Sequence, residues 1–395
     1  MPIKVTYTNQ DINEYDLFEE IPNCNLVSEI DCTNNFLTSL PALPAFGTNM
    51  NFPNLEDFTC ANNQLTSLPN MNFPNLRVFT CANNQLTLLP DMNFPNLQYF
   101  ECCANKLTVS PDNILNFSNL QVLDFVDNNL KVLPNNMNFP NLREFRCSGN
   151  KLTSLPDNMN FPNLLIFFFS GNKLTSLPDN MNFPNLQELY CSNNNLTVLP
   201  DNMNFPNLRY LNCSYNQLTA LPENMNFPNL QTFKCNDNQL TSLPDNMNFP
   251  NLEEFDCYDN QLTTLHDNMH FPNLLELICY NNKLTLLPDN MNFPNLQYFN
   301  CSSNQLTSLP DNMNLPKLRR FNCSDNKLTS LPLCILNFKN LQVFTDNNNE
   351  LELSLQIAQF IDRIKNKKNK KRVQDRERKK RRKIKLLAQS DANNV

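Results

Sequence analysis

Apolar positions along the chain fall into a short, recurring frame. Across 55–76 it runs Leu55, Phe58, Cys60, Leu65, Leu68 and Phe73, with Asn63 fixed among them and Pro69 and Pro74 behind. The frame restarts at Leu76, Leu97, Leu120 and Leu142, and its period holds at 22 residues from Leu120 to Leu318. A last unit begins at Leu341. A degenerate first one begins at Val27, with Ile30, Cys32, Asn35, Leu37 and Leu40, which makes fifteen units. Alternation from Leu55 to Ala61 predicts a short strand, with Phe58 and Cys60 on one face and Asp57, Thr59 and Ala61 on the other. Pro69 and Pro74 lack amide donors, so the DNMNFPN return is predicted to be extended or 3-10-like rather than a full helix. One coil cannot bury its own apolar face. Stacked coils can, as ladders of Leu, Cys and Phe.

The unit in general form, LxxLxCxxNxLTxLPDNMNFPN, resembles the leucine-rich-repeat pattern LxxLxLxxNxL over roughly residues 27–353. The Leu-Pro after the second leucine is similar to the short repeats of bacterial effectors. The near-identical, Asn-rich copies also resemble repeat proteins of giant DNA viruses and amoebae. The resemblance implies an α/β horseshoe: a leucine-rich-repeat solenoid with a concave parallel β-sheet and mostly non-helical convex returns. It also implies a binding scaffold. Bacterial ligases with such repeats append a catalytic domain, whereas only about 40 residues follow the array here.

The inward ladders read as structure. Asn63, Asn84, Asn105 and their equivalents through Asn326 suit bonds to turn backbone, since an amide both donates and accepts. Phe52, Phe73, Phe94, Phe117 and onward to Phe293 form an aromatic spine that Leu315 interrupts. The Met ladder (Met137, Met159, Met181 and so on) reads as packing. Twelve cysteines share one inward position, from Cys32 and Cys60 to Cys323, without the paired spacing of metal sites. Cys24, Cys103 and Cys334 stand apart, and Cys103 is the expected exposed, reactive thiol. His266 and His270 are the two histidines, each in place of a repeat residue, so no metal site is expected. No P-loop, GxGxxG or nucleophile–base pair occurs. The reading is therefore of a non-enzymatic protein with no cofactor.

The copies differ from one another mainly at the outward strand positions. A constant frame with a varied face suits protein binding. Ile166, Phe168, Tyr190, Tyr210 and Tyr215 are expected to form an aromatic patch. Glu254, Asp256, Tyr258, Glu276 and Tyr280, with Glu253 and Asp259, are expected to form an acidic one. An unidentified protein on the concave face is the expected partner.

Charge divides the chain. Residues 1–361 carry a net −18 and residues 362–395 a net +11, within an overall −7. The expected division is an N-terminal cap at 1–26, using Tyr15, Phe18 and Ile21, the solenoid at 27–353, a cap helix at 354–364 and a basic tail at 365–395. The tail holds two clusters, Lys367, Lys368, Lys370, Lys371 and Arg372, then Arg378, Lys379, Lys380, Arg381, Arg382 and Lys383. They suit a nuclear-targeting signal, binding to nucleic acid or to an acidic membrane surface by charge, or folding back on the acidic solenoid. The alternative function is thus a nucleic-acid-associated or nuclear protein acting through its tail. No signal peptide and no apolar run of membrane length occur, so the cysteines read as reduced thiols. The expected place is intracellular, cytoplasmic or nuclear, a virus-infected host cell included.

Overall fold

The computed structural model describes residues 3–7, 23–40, 52–110, 112–245, 247–266 and 269–366. Tyr15, Phe18, Ile21 and both basic clusters of the tail lie outside the described residues. The chain divides into two units, 1–239 with 246–249, and 240–245 with 250–395.

Each unit is a stack of coils on a parallel sheet. In the first, strands of three residues such as Asp57–Thr59, Val78–Thr80, Tyr99–Glu101, Val122–Asp124, Glu144–Arg146, Ile166–Phe168, Glu188–Tyr190, Tyr210–Asn212 and Thr232–Lys234 pair in chain order. Ahead of them Ile3–Thr6 pairs in parallel with Val27–Asp31, which pairs with Asp57–Thr59. In the second unit the order is Glu254–Asp256, Glu276–Ile278, Tyr298–Asn300, Arg320–Asn322 and Val343–Thr345. The returns carry little regular structure: a pair of two-residue strands at Met71–Asn72 and Met92–Asn93, isolated bridges, and 3-10 turns at Asp112–Asn116 and Leu333–Asn337. Prolines explain that shortage, since they supply no donor for a longer ladder.

The core lies between coils. Phe58, Phe79 and Phe100 are buried, and so is the cysteine that follows each two residues later. In the returns, Phe139, Phe161, Phe183, Phe205 and Phe227 stack ring on ring at 5.9–6.3 Å. Leu315 takes the place of a spine phenylalanine and is equally buried. Spine rings also meet the strand rings edge-on, as Phe161 meets Phe145 at 5.8 Å, so the two ladders lock each coil from both sides.

Buried asparagines tie successive coils together. Asn194 Nδ2 donates to Phe169 O of the preceding coil (3.1 Å) and to Cys191 O and Ser192 O of its own turn (3.2 and 3.3 Å). Its Oδ1 accepts from Leu174 N (3.1 Å). Asn63, Asn84, Asn150, Asn216, Asn282 and Asn326 repeat the pattern. Buried backbone groups need such partners, and an amide alone among uncharged side chains offers donors and an acceptor together.

The residue before this asparagine bends the chain. Asn62, Asn83, Ala104, Asp127, Asn193, Tyr215, Asp237, Asp259 and Ser303 all have φ between 50° and 56°, and Gly149 and Gly171 have φ 66°. Strands stay short because this left-handed residue follows three positions after each. At the C-terminal end, helical residues 355–366 bury Ile357, Ile361 and Ile364, and the Ile357 amide donates to Ser354 Oγ at 3.5 Å. Among the described residues no helix is long and apolar enough to cross a membrane.

Candidate functional site

The face opposite the buried ladders carries the residues that vary between coils. In a parallel ladder each such side chain stands about 4.8 Å from its counterparts. Neighbours therefore shield one another, and Ile166, Phe168, Tyr190 and Tyr210 are half-buried rather than open.

The pairing places Phe168 beside Tyr190, and Glu188 beside Tyr210. The Phe168 and Tyr190 rings stack at 4.1 Å and 20°, and those of Tyr190 and Tyr210 at 4.7 Å and 29°. On the other side the Arg146 guanidinium lies over Phe168, 5.8 Å from the ring centre. The sequence patch is thus assembled, and Arg146 extends it to four coils. Glu144 bonds the Arg146 guanidinium, and Asp124 lies 3.6 Å from it. The Arg146 Nε is buried without a partner. Tyr190 donates its hydroxyl to Glu188 Oε2 at 2.8 Å. Burial, then that bond and the Glu188 charge, push the Tyr190 phenol up, so it stays a neutral donor.

Tyr215 stands outside this stack. It occupies the left-handed turn at φ 53° and is 55% exposed, a costly backbone state for a bulky residue. Arg146 is neither apolar nor aromatic, so residue type does not mark it as part of the patch. Its register next to Phe168, four residues after its leading leucine, was the available signal.

Cys103, like Cys24 and Cys334, is partly exposed, and its thiol donates to Glu101 Oε1 at 3.4 Å. Burial, then the Asp124 and Glu101 charges, push it up to about 12. The thiolate needed for reactivity is therefore disfavoured. The same carboxylate, Glu101, accepts from Tyr99 at 3.2 Å, so the neighbourhood is a polar network rather than a nucleophile site.

In the second unit Glu254 pairs with Glu276 and Asp256 with Ile278 in the ladder. Tyr258 and Tyr280 stack at 4.5 Å and 9°. Asn281 donates to the Asp259 carboxylate. The acidic, tyrosine-edged patch is one contiguous surface within this unit, although Asp256 is buried by its neighbours. His266 Nδ1 lies 3.0 Å from Asp245, while His270 is exposed. Among the described residues no group of three or more His, Cys, Asp or Glu is placed to hold a metal.

Inward strands, an interlocking asparagine ladder and irregular returns define a repeat solenoid of the leucine-rich type. The family described as leucine-rich repeats (two copies) matches residues 184–224 and 228–268. A leucine-rich-repeat protein of Leptospira interrogans is similar in structure with a TM-score of 0.72 and 27% identity, over 92% of this chain and 98% of its own. The leucine-rich effector YopM of Yersinia pestis is 31% identical with a TM-score of 0.65, over 83% of this chain and 85% of its own. The functional domain of InlJ of Listeria monocytogenes, which includes a cysteine ladder, shares the fold with a TM-score of 0.56 at 22% identity, over 83% of this chain and 64% of its own. No curated protein sequence matches. The chain belongs to the leucine-rich-repeat family.

Proposed function

We propose that this chain is a non-enzymatic protein-binding scaffold whose anchor is the stack Arg146–Phe168–Tyr190–Tyr210 on the outward face of the sheet. The observation that carries the reading is that these rings pack on one another outside the core. The inward neighbours Phe167, Leu189 and Leu211 already fill the interior, so folding does not require aromatics outside. Arg and Tyr dominate binding hot spots because they offer large, stiff, amphipathic contact area. Ile166 pairs in register with Glu188 beside the anchor, and the exposed Tyr215 follows Tyr210 in the turn of the same coil. YopM, at 31% identity, is named a leucine-rich effector, which is consistent with a scaffold. We further infer an intracellular setting, cytoplasmic or nuclear, from cysteines that recur at one inward repeat position, where each packs as a small apolar side chain.

The test is capture from cell extract. Phe168, Tyr190 and Tyr210 changed together to Ala should leave melting nearly intact and weaken retention of bound proteins at least about tenfold. A control triple change at the exposed returns, Asp157, Asp179 and Asp201 to Ala, should leave retention unchanged. Wild-type retention by the aromatic variant would remove the anchor.

A further inference from the structure

We propose that a second surface of the first unit, the loop flank that follows strands Val78–Thr80, Tyr99–Glu101 and Val122–Asp124, docks an acidic amphipathic helix. The surface is the apolar row Leu88, Val109 and Val132, bordered by Lys106, Lys131 and Lys151. The inference is independent of the Arg146–Tyr210 anchor, which stands on the sheet.

The copies of the repeat show the row as a departure. Each coil leaves its strand turn through a segment such as Leu65-Thr66-Ser67, in which the leucine is buried and the next two residues are exposed. Serine, threonine or alanine holds the third place in most coils, and Val198 and Leu286 stand there singly. In three successive coils that place is Leu88, Val109 and Val132, which are 58%, 44% and 56% exposed. The second place is threonine in every other coil from Thr38 to Thr329, and it is Lys131 beside Val132. The one break in the threonine column thus falls within the one run of apolar neighbours.

Backbone bonds keep these coils in step. Lys106 N donates to Leu86 O at 2.8 Å, and Lys131 N to Thr108 O at 3.3 Å. Leu88, Val109 and Val132 therefore stand in line about 4.8 Å apart. Beyond Val132 the row opens into a groove of about 480 Å³ walled by Leu133, Pro134, Leu155 and Pro156, with room for a further apolar side chain.

Charge sets the class of partner. Lys106, Lys131 and Lys151 are exposed, and none of them forms an ion pair among the described residues. Lys106 Nζ meets the neutral Gln85 Oε1 at 3.2 Å. Asp127 is an exposed carboxylate of the same flank and leaves the three ammonium groups in excess. Asp157 lines the groove, so the acidic side of a ligand turns away from the returns and toward the lysines. Ammonium groups beside an apolar row suit carboxylates beside an apolar stripe.

Spacing sets the shape. Helix residues at i, i+3 and i+7 stand at about 0, 4.5 and 10.5 Å along the axis, against about 0, 4.8 and 9.6 Å for the row. Alternate residues of an extended strand fall about 6.7 Å apart and are out of step by the third coil. An anionic bilayer is the other occupant that lysine beside leucine and valine can meet. It would face the whole flank of a body whose residues 1–361 carry a net −18, whereas a single helix along the row meets the lysines alone.

The experiment titrates the full chain into a fluorescent synthetic peptide of about 18 residues, with leucines at i, i+3 and i+7 and glutamates along one side of them. Saturable binding with a Kd on the order of tens of micromolar is expected. Leu88→Ser, Val109→Ser and Val132→Ser together should weaken it at least about tenfold, and Lys131→Thr about threefold. Melting should stay unchanged, because serine and threonine hold these places in other coils. The variant with Phe168, Tyr190 and Tyr210 changed to Ala should bind the peptide as the wild type does. A peptide with lysines in place of the glutamates should bind at least about tenfold more weakly. Absence of saturable binding, equal binding of the two peptides, or binding unmoved by the serine and threonine variants would overturn the proposal. So would co-sedimentation with phosphatidylserine vesicles that those variants abolish while the peptide fails to bind, which would make the flank a lipid-contacting surface.

Discussion

Asn194→Ala isolates what the asparagine ladder contributes. The side chain is 7% exposed and makes four hydrogen bonds. All three of its acceptors keep other donors when it is lost. Cys191 O still receives Asn216 Nδ2 at 3.1 Å, and Ser192 O still receives the Gly171 amide at 2.9 Å. Phe169 O still receives Asn172 Nδ2 at 3.0 Å, so only the Leu174 amide loses the bond that Asn194 gave it. A buried polar group left without a partner costs about 1–3 kcal/mol, so this one group gives a loss of about 2–3 kcal/mol. Urea unfolding measures the total. Hydrogen exchange at the Leu174 amide measures the local effect, expected as roughly a hundredfold loss of protection, which corresponds to about 2.7 kcal/mol. Asn195→Ala, exposed on the same turn, should cost under about 0.5 kcal/mol. Asn194→Asp should be worse than Ala near neutral pH, because a carboxylate faces carbonyl oxygens, and the gap should narrow as pH falls and the acid protonates. A loss below about 1 kcal/mol for Asn194→Ala, or an undisturbed Leu174 amide, would refute the ladder as a stabilising element.

Burial pushes Cys213 and Cys279 from an ordinary 9.0 up to about 12. Their contribution is intact below about pH 9. It is lost as pH rises from 9 to 12, because the unfolded thiols ionise while the folded ones cannot. Urea midpoints should therefore fall across that window, less so in the variant Cys213→Ala with Cys279→Ala, and a midpoint flat in pH would count against buried thiols. Tyr215→Gly removes a bulky residue from φ 53°, a state that costs about 1–2 kcal/mol for residues with a Cβ. It should raise stability by up to about 1 kcal/mol while lowering partner retention, and a clear loss of stability would mean that the ring packs in the fold.

The inward frame was legible because each of its positions has one physical task repeated in every coil. Leu, Phe and Cys fill a dry ladder, Asn supplies donors and an acceptor, and Pro stops the return from becoming helix. The left-handed position was not legible. Its task is set by backbone angle, and Asn62, Ala104, Tyr215 and Ser303 all perform it without a common side chain. Strand Ile3–Thr6 was missed because it carries no repeat and borrows its register from Val27–Asp31. Of the candidate site, the aromatic patch was readable from period alone, as Phe168 and Tyr190 fall at the same offset on successive strands. For Cys103, alternation tells which face the side chain takes and not how closely its neighbours crowd it.

The asparagine ladder also bears on how such a chain can change its length. Every coil offers the coil before it an amide that accepts one bond and gives another, and it receives the same pair from the coil behind. The join between any two coils is therefore interchangeable with the next. A duplication or deletion of one whole period leaves no group stranded, whereas an insertion of a few residues within the turn strands several. With copies this alike in sequence, recombination between misaligned repeats proceeds in units of a period. Each event moves an outward pair such as Glu188 and Tyr190 as a block, so the exposed face can be reshuffled while the interior stays closed.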